Sequence, residues 1–384
     1  EFGRQIAHMA KTRLVEPLAS DERARLSEVL ETGLALIWPL AQRGQVRRSA
    51  VLSVMLANLA DRLGDGHNYA LPYAAIGEGC RYLRLDALAN FYLGRARENL
   101  SDGLQRPVDF TSTILVFVND SAGRGEWQAT DSLLNRASPL SEEAGDRIGW
   151  ITLTLTHAMV EVLRDRLSRA EALTKRLETI VDGNDYGMGR AWTRLLSTLI
   201  ARQRGDYARA HLLIEPLSDR LEGHFHLIVR GFTRSLHALV LAELGQVGAA
   251  LRVGVRAAED FEVVTNGGDF NFGIYHIYQC LPQAFFRCWQ SGDLTDYERA
   301  RALAHSRRLV GRLENLADRF PAARAASLRN RGMLEAVDGR LGRASELLSE
   351  SLLEARVTGL PFEDRLTRRA AASLGSMGAF AGSK

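Results

Sequence analysis

In the stretch Gly223-His224-Phe225-His226-Leu227, two histidines stand two positions apart and could both reach a metal ion if the chain were extended. They open an expected helix, where residues i and i+2 point apart, and no third ligand is evident for a site that needs three or four. His157 and His237 occupy equivalent places 80 residues apart. Such imidazoles are either polar groups satisfied between helices or a ligand-binding or pH-sensing pair. The acidic pairs Glu142-Glu143 and Glu259-Asp260 read as helix-surface charges, because a general acid needs a pocket. Cys280 and Cys288 are eight apart, roughly 12 Å along a helix, too far for a disulfide. Together with Cys80 they read as reduced, buried thiols of a cytosolic protein. The chain has no P-loop, no His-Glu-x-x-His, no nucleophile elbow and no dinucleotide fingerprint after a strand. Catalytic residues, metal and cofactor are therefore all expected to be none. An active site hidden in a degenerate repeat is the remaining enzymatic alternative.

Charge and composition exclude further classes. The 384 residues carry a net charge of +3, which argues against a strongly electrostatic partner. Only Lys11, Lys175 and Lys384 among the 49 basic residues are lysine, the bias of a high-GC genome. A run from Arg299 to Arg331 holds nine arginines and two acids, Glu314 and Asp318. It reads as a solvated helix face, with an acidic protein or anionic ligand as the functional alternative. Direct nucleic-acid binding is disfavoured, because no aromatic series is interleaved for base stacking. No stretch reaches the ~18 to 20 apolar residues of a membrane helix, and the start shows no secretory signal, so a cytoplasmic location is expected. The first residues, Glu-Phe, include no initiator Met, so the chain may be read as a piece of something longer.

The elements that would position any site are repeats. GEWQATDSLL starts at Gly125, DRLSRAEALT at Asp165, GDYARAHLLI at Gly205 and GQVGAALRVG at Gly245, each 40 residues after the last. Copies at Gly292 and Gly339 follow at spacings of 47, an echo starts at Gly44, and the copy near Arg84 is blurred. Each unit has a turn residue, a large apolar residue two later and usually Ala five later. Segments on either side repeat their apolar residues at i, i+3, i+4 and i+7, so each unit reads helix, turn, helix. The β-branched TSTILVFV, Thr111 to Val118, occupies a first-helix slot and is assigned to helix. A fixed period of this length marks a stacked-repeat architecture, an all-α solenoid with one continuous core.

The units resemble tetratricopeptide repeats in Gly205-Asp206-Tyr207 followed by Ala210, Gly245 followed by Ala250, and Gly339-Arg340-Leu341 followed by Ala344. The resemblance covers roughly 107–360 well and the first hundred residues weakly. The period is longer than the family's, and its usual Trp and Pro positions are mostly absent. The pattern is similar to the degenerate helical arms of large bacterial signalling proteins, such as maltose-regulator-type transcription activators, kinases and cyclases. This implies a right-handed superhelix of helix pairs, with a degenerate region over 1–106, the repeats over 107–360 and a capping helix with tail over 361–384.

First helices of such stacks line the concave groove. Aligning each repeat on its turn residue places Trp192, Arg202, Gln203, Phe232, Tyr275, Gln279, Phe286, Trp289 and Arg329 on that surface, unless tighter curvature makes much of it core. Seven aromatics crowd Asn266–Trp289, which also holds Gly267-Gly268 and Pro282. The proline is expected to kink its helix where the spacing changes from 40 to 47. The functional expectation is a non-enzymatic regulatory or partner-binding domain. It would bind another protein or a segment of its parent chain in the groove. The alternative is a sensor holding a small-molecule effector among Trp192, Phe232, Tyr275 and Trp289.

Overall fold

The computed structural model describes residues 19–42, 45–64, 69–100, 107–182, 187–219, 227–265 and 275–381. The paired histidines His224 and His226, the turn at Gly44 and the Gly267-Gly268 loop lie outside the described residues. Among the described residues the chain is all α, without strands. Thr111–Val118 lies inside a helix, as its place in the repeat requires.

The helices fall into two compact units. One comprises Glu1–Ser121, Trp127–Leu153 and Val264–Asn271. It contains α1 (Ser20–Gln42), α2 (Val46–Leu63), α3 (Leu71–Tyr82) and α4 (Asp86–Glu98), with most of α5 (Pro107–Gly123) and α6 (Trp127–Glu143). Its helices pack in chain order, α1 on α2, α2 on α3 and α3 on α4. Leu30, Leu34, Ile37, Leu56, Leu63 and Tyr69 form one apolar cluster there. Buried Asp109 closes the start of α3 by accepting from the backbone N–H groups of Ala70 and Leu71 at 3.1 and 2.9 Å, which supplies partners to helix-end donors that have none within the helix. Arg81 bonds Asp120, Asp86 and Asn90 at 2.7–2.9 Å.

The other unit comprises Ala122–Glu126, Thr154–Val263 and Phe272–Lys384. It takes the later part of α7 (Arg147–Leu163), then α8 (Leu167–Asp182), α9 (Gly187–Gln203), α10 (Tyr207–Asp219), α11 (Leu227–Glu243) and α12 (Val247–Thr265). It ends with α13 (Tyr275–Gln290), α14 (Asp296–Ala317), α15 (Arg324–Val337), α16 (Leu341–Val357) and α17 (Pro361–Ala381). Helix α9 packs on α10, α13 on α14 and α15 on α16 as pairs. The first helices also pack on one another, α9 on α11, α11 on α13, α13 on α15 and α15 on α17. One layer is thus built from the first helices, in the manner of an α-solenoid.

The repeat residues have the physical roles their spacing suggests. Gly125, Gly205, Gly245 and Gly339 have φ of +76 to +79°, a left-handed conformation that lets a helix end without a Cβ penalty. Asp165 occupies the same place at φ +60° and Arg84 at φ +58°, so the blurred copy is a true turn without its glycine. At Gly292 the turn is built differently. Thr295 caps α14, accepting from the Glu298 N–H while the Glu298 carboxylate accepts from the Thr295 N–H. Thr130, Ala170, Ala210, Ala250 and Ala344 are all at most 1% exposed. They are the small contact points at which paired helices approach. Helix α13 runs unbroken across Pro282.

Candidate functional site

Site-forming side chains of the second unit converge on the start of α17. Gly359, at φ +65°, and Leu360 turn the chain out of α16. Pro361 then occupies the first helical position, where its missing N–H costs nothing. This brings Phe362 and Glu363 down onto the layer of first helices.

Glu363 is 2% exposed. Its Oε1 accepts from the Tyr275 hydroxyl at 2.8 Å and from Gln279 Nε2 at 2.5 Å, and its Oε2 accepts from Arg329 Nε at 3.2 Å. Burial pushes this carboxyl up, but Arg329 with the Gln279 and Tyr275 donors outweighs burial and holds it below the ordinary range. Burial beside this carboxylate raises the Tyr275 phenol well above its usual value. Two guanidiniums lie over the Phe362 ring, Arg202 at 5.0 Å and Arg365 at 5.3 Å, an arrangement stabilised by the ring's negative face.

The solvent side of α17 is tied down by exposed ion pairs. Arg365 pairs with Asp165 in the α7–α8 turn. Arg369 pairs with Glu243 at 2.9 Å and bonds the Tyr207 hydroxyl at 3.4 Å. Further along, Ala370 shares an apolar cluster with Phe286, Met333, Leu334 and Leu348, against which Trp289 also packs.

Of the nine residues projected onto the groove, Arg202, Tyr275, Gln279 and Arg329 therefore meet around Phe362 and Glu363. Phe286 and Trp289 belong to the cluster that includes Ala370 of α17. Trp192 and Phe232 touch each other, with ring centroids 6.0 Å apart, and Phe232 stacks on His276 at 5.5 Å. Gln203 is half-buried, its Oε1 enclosed without a hydrogen-bond partner. Phe232 and Tyr275 are at most 2% exposed and pack within this aromatic row.

Sequence reasoning missed three parts of the site: Glu363, the Arg365 and Arg369 clamps, and His276. The pattern was present in Phe362, Leu366, Ala370 and Leu374, an i, i+4 stripe with an acid directly beside its first aromatic.

Other candidates resolve into structure. His157 lies 3.4 Å from Glu161, and His237 stacks on His211 at 5.5 Å. Cys80, Cys280 and Cys288 are buried free thiols, and burial raises all three above the usual thiol range. Glu259-Asp260 is not a surface pair throughout. Asp260 is 8% exposed and holds Arg230 at 2.6 Å and Arg234 at 2.5 Å, because it faces α11 rather than solvent. In the Arg-rich run, Arg307 pairs with Asp338, Arg308 with Glu262, Arg329 with Glu363 and Arg331 with Glu335. The run's charge is met by acids from other segments, which favours the structural reading. No described helix is long and apolar enough to cross a membrane.

These features define a helical-repeat protein in which α17 packs on the layer of first helices through a buried polar centre. No family model matches the chain, and a search of curated proteins finds no match.

Proposed function

We propose that this chain is a non-enzymatic regulatory or partner-binding domain of a bacterial signalling or transcription-regulating protein, and that its groove binds an α-helix. The carrying observation is the seating of Phe362-Glu363. A buried carboxylate with three donors, an aromatic under a guanidinium, and two arginines on acids one and two turns later amount to a helix-recognition pattern. In this reading α17 is a segment of the parent chain that holds the seat until a partner helix with a similar pattern competes for it. Regulation follows as a population shift between the two occupants, set by their difference in affinity. The resemblance to the arms of bacterial signalling ATPases and activators supports a regulatory setting for such a switch.

A labelled peptide spanning residues 359–381 tests this by fluorescence anisotropy against the full chain. The Glu363→Ala chain, whose own helix is loosened, should bind the peptide at least tenfold more tightly than the wild-type chain. Equal or absent binding to both would reject the groove reading. A peptide carrying Glu363→Gln should bind roughly thirtyfold or more weakly, because one member of a buried charged pair is removed.

A further inference from the structure

The charges around the helix seat do not balance. Three guanidiniums gather at Phe362 and Glu363, those of Arg202, Arg329 and Arg365, against two carboxylates, Glu363 and Asp165. Arg365 and Asp165 pair near solvent, and Arg329 takes Glu363. Arg202 is left. It is 4% exposed, its guanidinium lies over the Phe362 ring at 5.0 Å, and its Nη1 is buried without a hydrogen bond.

One other donor nearby is also unused: Arg329 Nη2 is buried and unbonded. His276, at 2% exposure, follows Tyr275 directly and stacks on Phe232. Burial and the Arg202 charge push it down to about 4, so at neutral pH it is an uncharged imidazole that adds no second positive charge beside Arg202. A buried, uncompensated guanidinium is among the more costly arrangements in a protein, and the ordinary remedies are an acid or an anionic ligand.

We infer that this cluster binds a monoanion, the carboxylate head of a small organic acid, with Arg202 Nη1 as its principal donor and Arg329 Nη2 as the further donor at hand. The count selects the class. One unit of positive charge is unmatched, so a monoanion balances it where a phosphate dianion would reverse it. The planar guanidinium fork suits a carboxylate better than a spherical halide. The inference rests on these buried, unbonded guanidinium nitrogens and on the charge count, and holds whether or not the groove accepts a partner helix.

Thermal unfolding and calorimetric titration of the full chain test it, starting from buffer free of small anions, with acetate, chloride and inorganic phosphate as separate probes. Acetate should raise the wild-type Tm saturably, by more than chloride or phosphate at equal ionic strength. Arg202→Met should lose that response and, freed of the unmatched charge, melt above the wild type in anion-free buffer. Arg202→Gln, which keeps polarity, should weaken acetate binding at least tenfold and serves if the methionine variant folds poorly. Lack of a saturable acetate response, an equal response in the Arg202 variants, or a response led by chloride or phosphate would overturn the assignment.

Discussion

Glu363 shows at the residue scale what a single buried charge does in this fold. Removing it strands Arg329 in the interior, so Glu363→Ala should cost about 3–5 kcal/mol, measured by urea denaturation. The paired variant Arg329→Met with Glu363→Leu removes both charges and should recover most of that loss. Glu78 makes the opposite kind of prediction in the first unit. Burial, with Asp120 adding to it, raises its carboxyl to about 8. Between roughly pH 4.5 and 8 the folded chain then holds a proton that the unfolded chain has released. Stability attributable to this group is full at low pH and falls as pH rises through that window, by at most about 1.4 kcal/mol per pH unit. Glu78→Gln cannot ionise, so its Tm relative to wild type should climb from pH 5 to pH 8. A Tm difference that stays flat would show that Glu78 is not held protonated. Neither Glu363 nor Glu78 was legible in the sequence as a site, and Arg329 was placed on the groove without its partner. Glu363 lies in a tail of ordinary helix-forming composition, and only contacts from 34 to 88 positions away give it a role.

At the scale of elements, the sequence was most informative where local geometry leaves little choice. A helix that must end and reverse within a few residues needs a left-handed residue, and Gly125, Gly205, Gly245 and Gly339 announce it at regular spacing. Gly245→Ala should therefore destabilise by about 1–2 kcal/mol in chemical denaturation, although nothing lies within 4 Å of the added Cβ. The cost lies in the backbone, not in a clash. Arg84 was obscure for the same physical reason, since an arginine carries no signature of the left-handed region it occupies. Ala210 and Ala250 mark close helix contacts because only a small side chain permits them. Asp260 was misread because alternation along one helix does not reveal which face meets α11, and two arginines from that helix make the inner position affordable to a charge. The projected positions lie on first helices that pack on one another. That α17 lies over them was not foreseen, because its contact with Asp165 joins residues 200 positions apart.

At the scale of the molecule, we propose that in the second unit α17 lies on the first helices as a ligand that another helix could replace. The mixture of fastenings fits that role. Its buried end is specific, through Glu363 and Phe362, while its outer end rests on exposed pairs, Arg365 with Asp165 and Arg369 with Glu243, which salt screens. Hydrogen exchange of the wild-type chain, with and without excess unlabelled 359–381 peptide, measures this most directly. Peptide should speed exchange in the chain's own α17 while α13 and α15, the proposed seat for either occupant, keep their protection. Unchanged exchange in α17 at saturating peptide would contradict it and make α17 a fixed part of the core.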